Sequence, residues 1–171
     1  MRMRHVTDRG DLPEQHRPIL DEIVQTRGHL PKPFALLLNH PELAERVAGL
    51  GSFVRYESSL PDRVREIAIL TSATENKCAY ARDRHEIHAR NAGVPEDTIN
   101  AILEDREPLH AGDRLIVSFG RETLRKHAVG DSLFENVKER LGPAGVLELT
   151  GTIGYYALLA VILNTFDSPR D

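Results

Sequence analysis

The feature that most constrains the fold is an uncharged stretch of eighteen residues, LTGTIGYYALLAVILNTF, at positions 149–166. Its apolar side chains recur in steps of four, three, four and three: Leu149, Ile153, Tyr156, Ala160 and Leu163. This spacing predicts an α-helix with one continuous apolar face. The length is near the lower limit for crossing a bilayer. The Thr, Gly, Tyr and Asn residues along it instead favour a helix in a core or a subunit interface.

The rest of the chain also shows helical periodicity and no long strand-like alternation. Apolar faces are predicted in the helix after Pro41 (Leu43, Val47, Leu50) and in the helix after Pro61 (Val64, Ile67, Ala68). Gly93 is a predicted helix stop, because glycine adopts the left-handed conformation that ends many helices. Further helix starts are predicted at Asn76, Pro95, Gly112, Asp131 and Pro143. We therefore expect an all-α protein built as a compact helical bundle.

Length and composition restrict the domain organisation and the kind of partner. A chain of 171 residues is long enough for one domain, expected to span 1–171, with residues 1–40 as an N-terminal extension packed on it. The formal charge of −4, with basic residues scattered among acidic ones, argues against nucleic acid as a partner. One cysteine cannot form an intramolecular disulfide, and no apolar run follows the basic N-terminus. A cytoplasmic protein without a membrane partner is expected.

The helix predicted after Asn76 carries the residues with the most chemical potential. Cys78 and His85 are seven positions apart and project within roughly 20° of each other, with Arg82 between them. Imidazole suits proton transfer near neutral pH, a thiol can be a nucleophile, and a guanidinium can hold a carboxylate. Each residue also has a structural alternative: a buried apolar thiol, a surface ion pair of Arg82, and a hydrogen-bonded helix histidine.

Metal and cofactor motifs are weak or absent in the sequence. His85 and His88 are three positions apart with Glu86 between them, but this is not the H-E-x-x-H spacing and no third ligand is evident. The chain has no G-x-G-x-x-G motif, no Walker lysine loop and no G-x-S-x-G elbow. We therefore expect neither a metal nor a cofactor.

Two segments, REIAIL at 65–70 and NKCAYARDRHEIHARNAGVPEDTINAIL at 76–103, resemble the carboxymuconolactone decarboxylase and alkylhydroperoxidase D-like superfamily. Glu66 is followed twelve positions later by Cys78, Tyr80 lies five before His85, and a Gly-Val-Pro-Glu segment follows the helix. The later GPAGVLELTGTIGYYALLAVILN resembles the closing helix of that family, so the resemblance covers roughly residues 40–165. It implies a helical bundle that forms dimers, trimers or hexamers.

The resemblance also implies a site. It places the helix of Glu66 against the helix of His85 and makes both residues, with Cys78, the catalytic candidates. Tyr80 and Arg82 are the candidates for substrate binding, the latter as our own inference from its charge. The second cysteine of the redox members falls at Ala81, which disfavours a two-cysteine peroxidase and leaves open a one-cysteine route with an external thiol.

Three functions therefore compete. The first is proton transfer or decarboxylation of a small lactone or keto acid, with His85 as general acid or base. The second is peroxide reduction through Cys78. The third is a non-enzymatic, oligomeric small-molecule binder.

Overall fold

The computed structural model describes residues Arg2–Phe166 and confirms the all-α prediction, since no β-strand occurs within this range. Two short 3-10 turns, Arg9–Asp11 and Glu14–His16, precede the first α-helix, and a π-helical turn, Phe53–Glu57, follows the third. The α-helices are α1 Arg17–Arg27, α2 Lys32–Leu37, α3 Pro41–Ser52, α4 Asp62–Glu75, α5 Ala79–Asn91, α6 Glu96–Leu103, α7 Ala111–Lys126 and α8 Asp131–Phe166.

One compact unit comprises the described residues up to Glu57 together with residues 161–166 of α8. Within it, α1 and α2 pack against α3. The Arg27 guanidinium lies 4.6 Å from the centre of the Phe34 ring and donates a 2.8 Å hydrogen bond to the Ala48 carbonyl. One side chain thus ties all three helices together.

The face that α3 buries differs from the predicted one. Leu43 and Leu50 are 47% and 48% exposed, while Val47 is buried together with small residues of the same helix, Ala44, Ala48 and Gly51. The prediction is confirmed for Val47 and wrong for Leu43 and Leu50, because the small side chains allow closer approach of neighbouring helices than leucine does.

The second compact unit, Ser58–Ala160, is built around α4. Every residue of α4 from Val64 to Ala73 is buried except Arg65, and α5, α6 and α7 all pack against this helix. A helix surrounded in this way becomes apolar on nearly all sides. Its neighbours contribute to one continuous core, which includes Ile67, Leu70, Ala89, Ile99, Ile102, Ile116, Phe119, Leu149 and Ile153.

A buried carboxylate, Asp113, connects three helices of this unit. It is 2% exposed and accepts hydrogen bonds from Arg63 Nη2 at 2.7 Å and from Thr98 Oγ1 at 2.7 Å. Charge-assisted hydrogen bonds of this kind compensate the cost of removing a carboxylate from water. Asp113 therefore fixes α7 relative to α4 and α6, although no sequence pattern singled it out.

The connection between α4 and α5 differs from the sequence prediction. Asn76 was expected to start the second helix, but it ends the first, where its side-chain amide donates a 2.8 Å hydrogen bond to the Ser72 carbonyl. Lys77 then adopts a left-handed conformation (φ 52°), and α5 begins directly after Cys78. Asparagine satisfies free groups at either end of a helix, so its presence did not determine which end it would cap. The predicted stop at Gly93 is confirmed by its φ of 75°.

Helix α8 changes direction at Gly142, whose φ of 72° and ψ of 168° are not helical. The predicted new start at Pro143 is therefore correct. After it, the predicted apolar face is buried, with Leu149, Ile153 and Ala160 fully enclosed. Within Arg2–Phe166, α8 is the one helix with the length and composition of a membrane span, but half of its most apolar window is buried in the protein.

Glu148, on α8, holds the segment that precedes α4. Its Oε2 accepts hydrogen bonds from Ser58 Oγ at 3.0 Å, Ser59 N at 2.9 Å and Ser59 Oγ at 2.8 Å. Burial raises the pKa of a carboxyl, but the hydrogen bonds from Ser59 and Ser58 outweigh it and hold the pKa of Glu148 below its usual value. The ionised carboxylate therefore stabilises the fold.

We predict that Glu148→Gln destabilises the protein by about 1–2 kcal/mol at pH 7, because three hydrogen bonds lose a charged acceptor. The folded pKa is the lower one, so this stabilisation is present above the unfolded pKa of about 4.3 and is lost as pH falls through the folded value. Urea unfolding at a series of pH values should show the gap between wild type and variant closing below pH ~4. Glu135→Gln, which removes an exposed pair with Lys138, is the control and should cost less than about 0.5 kcal/mol. A difference in unfolding free energy between wild type and Glu148→Gln that is the same at low and neutral pH would contradict a stabilising role of the ionised carboxylate.

Candidate functional site

Helices α4 and α5 bring a carboxylate and an imidazole together inside the second unit. Glu66 Oε2 lies 2.7 Å from His85 Nδ1, and the two residues are 4% and 7% exposed. Glu66 interrupts the buried face of α4, between Val64 and Ile67. Burying a carboxylate there is costly unless a partner compensates it, and His85 is that partner.

The contact determines which of its two nitrogens carries the proton when the imidazole is neutral. An ionised carboxylate has only acceptors, so Nδ1 donates to Glu66 and the proton-exchanging atom of the neutral ring is Nε2. The carboxylate also stabilises the protonated ring, because opposite charges in a buried site attract strongly. This arrangement prepares His85 to take up and release a proton.

Aromatic rings surround His85 on two sides. The ring of Tyr156, on α8, stands edge-on to it at a centroid distance of 4.8 Å and an interplanar angle of 83°. The ring of His88 lies 5.3 Å away, tilted by 51°. Tyr155 in turn packs edge-on against Tyr156 at 5.4 Å. The rings of Tyr156 and His88 restrict rotation of the imidazole, and the buried Tyr156 ring covers one side of it.

Sequence reasoning missed the role of Tyr156 beside the histidine. It correctly assigned this residue to the buried face of α8, but a heptad-like pattern gives no information on which distant helix that face contacts. Two adjacent tyrosines in an otherwise aliphatic helix were the available signal, since a buried phenol needs a polar neighbour.

Cys78 is 2% exposed and is the residue immediately before α5. Its amide donates to the Ala73 carbonyl at 2.9 Å, and its carbonyl accepts the amide of Arg82 at 3.0 Å. His85 is seven positions farther along the chain, a rise of about 10 Å along the helix. The structure therefore places the thiol at the N-terminal end of the helix and the imidazole two turns farther along the same helix.

The two candidate substrate-binding residues lie in different environments. Tyr80 is half-buried, with the Arg84 guanidinium 5.9 Å from its ring centre. Arg82 is exposed, and its Nε lies 3.7 Å from Asp83. Positions 82 and 85 are offset by about 60° around the helix, and Arg82 lies on its exposed side while His85 is buried. A role of Arg82 in substrate binding stays a prediction.

Within the described part of the chain, no three or more His, Cys, Asp or Glu side chains are grouped in a way that could hold a metal ion. His88, the residue considered as a second ligand, instead packs its ring beside His85.

A family model matches just under half of the chain. Residues 41–120, which include Glu66, Cys78 and His85, match the carboxymuconolactone decarboxylase family. The resemblance inferred from the sequence is confirmed. The match is consistent with the all-α fold. No curated protein matches the chain in sequence.

Several solved structures share the fold at low sequence identity. The alkylhydroperoxidase AhpD core of a peroxidase-related protein from Ralstonia eutropha JMP134 has a TM-score of 0.76 at 17% identity, covering 97% of this chain and 90% of the other. A cysteine-to-alanine variant of the debrominase Bmp8 with 2,3,4-tribromopyrrole has a TM-score of 0.75 at 17% identity, covering 98% and 90%. A protein of unknown function from Agrobacterium tumefaciens has a TM-score of 0.66 at 20% identity, covering 79% and 94%.

We predict that Glu66→Gln lowers the titration midpoint of the His85 ring by about one pH unit or more, because the imidazolium loses the adjacent negative charge. Long-range ¹H–¹⁵N NMR of the histidine rings measures this midpoint. Glu86→Gln is a matched control on α5, since that carboxylate pairs with Arg90 at 2.6 Å. It should move the His85 midpoint much less. An unchanged midpoint in Glu66→Gln would show that the pair does not carry opposite charges.

Proposed function

We propose that the protein catalyses proton transfer on a small acid, as a carboxy-lyase acting on a lactone or keto acid, with His85 as general acid and base. The observation that supports this function is the buried 2.7 Å contact between Glu66 and His85. A carboxylate that orients a histidine is a recurring arrangement for proton transfer, and burial increases its effect. The match to the carboxymuconolactone decarboxylase family agrees with this chemistry.

The proposed reaction assigns one task to each group. The substrate carboxylate leaves as CO2, and the electron pair of the broken C–C bond remains on the substrate carbon. His85 Nε2 then delivers a proton to that carbon, while Glu66 stabilises the protonated ring that precedes this step. The Tyr156 ring limits water beside His85, and this favours the loss of a charged carboxylate from the substrate. Tyr80, half-buried on the same helix as His85, is assigned to substrate contact.

We expect His85→Asn to reduce turnover by about 10²–10⁴-fold, the usual contribution of a positioned acid or base. The assay uses a panel of γ-lactone acids and β-keto acids in D2O, with CO2 release and deuterium incorporation at the product carbon both measured. His127→Asn is the control, because His127 is exposed and its φ of 57° is a conformation that asparagine tolerates. Unchanged turnover and deuterium incorporation in His85→Asn would refute the proposed function.

A second candidate function is peroxide reduction by Cys78. One observation that favours it is the position of the thiol at the start of α5, because a helix N-terminus is one of the environments that lower a thiol pKa. The solved structures with this fold also include a peroxidase-related protein. In the proposed step the thiolate attacks the peroxide, an alcohol leaves, and Cys78 becomes a sulfenic acid. Because this is the only cysteine of the chain, an external thiol must reduce it.

Intact mass spectrometry after peroxide treatment of the folded protein tests this alternative. Addition of one oxygen that external thiol removes, and that is absent in Cys78→Ser, would support peroxide reduction. A mass that does not change would exclude it without affecting the proton-transfer proposal.

We further propose that the exposed face of α8 packs against a second copy of this chain. Leu147, Gly151, Gly154 and Leu158 are exposed at steps of four, three and four. A Cβ atom at either glycine would meet nothing within 4 Å. The order of side-chain sizes is symmetric, so two antiparallel copies of this helix related by a two-fold axis would oppose leucine with leucine and glycine with glycine.

We predict that Leu147→Glu converts the oligomer to a smaller species, because the substitution places a charge in an apolar contact. Size-exclusion chromatography with light scattering gives the mass. Leu109→Glu is the control, since Leu109 is exposed to the same extent, 77% against 75%, but lies outside α8. A monomeric wild type, or equal masses for both variants, would contradict this interface.

A further inference from the structure

The pair of Glu66 and His85 has limited contact with solvent. Glu66 is 4% exposed and His85 is 7% exposed, and the Tyr156 ring covers one side of the imidazole. In the proposed reaction His85 gives a proton to carbon in every cycle, so it must recover one from water. A buried acid that is regenerated repeatedly needs a path for that proton.

His88 lies one turn farther along α5, at the boundary between the interior and solvent. It is half-buried, and its ring centroid is 5.3 Å from that of His85. A centroid separation of this size leaves room for one hydrogen bond or one bridging water between the two rings. Exposure therefore increases in order from Glu66 to His85 to His88.

We propose that His88 is a proton relay between His85 and solvent. This role rests on the proposed proton-transfer function and adds a second histidine to its site. His88 takes a proton from water on its exposed side and passes one to Nε2 of His85. Nε2 is the receiving atom because Nδ1 of His85 is hydrogen-bonded to Glu66. The first transfer breaks an O–H bond of water, forms an N–H bond on His88 and leaves hydroxide in the solvent. The second transfer breaks an N–H bond of His88 and forms one on His85, and both rings return to their starting state after each cycle.

The other side chains described beside His85 are less suited to this task. Tyr156 is 5% exposed, and the ordinary pKa of a phenol is about 10, far from neutral pH. Glu66 is less exposed than His85 itself. An imidazole changes its charge near neutral pH and can carry a proton on either of two nitrogens, which is the requirement for a relay.

The experiment measures exchange of the His85 ring N–H protons with water, by NMR on the isotopically labelled full chain without substrate. His88→Asn should slow this exchange on the order of a hundredfold. Added imidazole, a small diffusible proton carrier, should restore the rate in proportion to its concentration. His127→Asn, at an exposed histidine, should leave the rate unchanged.

The sign of the effect separates a relay from a structural role. A variant that merely loosened α5 would expose His85 and accelerate exchange, whereas loss of a relay slows it. Unchanged or faster exchange, or slow exchange that imidazole does not restore, would overturn the proposal. The result is independent of the activity of His85→Asn, so the relay and the proposed function can fail separately.

Discussion

The structure of the second unit depends on the burial of α4. This helix is enclosed by α5, α6 and α7, so a charged side chain buried on it must be neutralised by a neighbour. Glu66 is paired with His85 on α5, and Arg63, nearer the start of α4, is paired with the buried Asp113 of α7. The position of each surrounding helix is therefore set by hydrogen-bond geometry in addition to apolar packing.

The candidate site is composed of groups with different tasks. Glu66 determines the tautomer of His85, the tyrosines of α8 restrict water, and His88 connects the imidazole to solvent in our proposal. Cys78 directly precedes the helix that carries His85 and lies two turns away from it, which is why we treat thiol chemistry as a separate function. One fold can support different reactions when single residues of its site change. One such change is Ala81, which stands where the redox members of the superfamily have their second cysteine.

Much of this arrangement follows from the sequence. Helix periodicity and proline positions gave the all-α class, the start of α4 and the division of α8 at Gly142. The resemblance to a known family gave Glu66 and His85 as a pair. Helix-local reasoning failed where two solutions satisfy the same local rule. Asn76 can cap either of two helices, and α3 can pack through leucines or through small residues. The contact of Tyr156 with His85 was not predictable, because a one-dimensional pattern identifies a buried face without identifying what covers it.

The left-handed turn at Lys77 has a consequence for how the site is organised along the chain. It joins α4 to α5 within a few residues, so Glu66 and His85 form a contact between positions only nineteen apart. Bringing such near neighbours together costs little loop-closure entropy. The Tyr156 ring comes from a much later part of the chain and requires a far larger loop to close. The acid–base pair is thus encoded within a single helical hairpin, whereas its shielding from water depends on the packing of the whole unit.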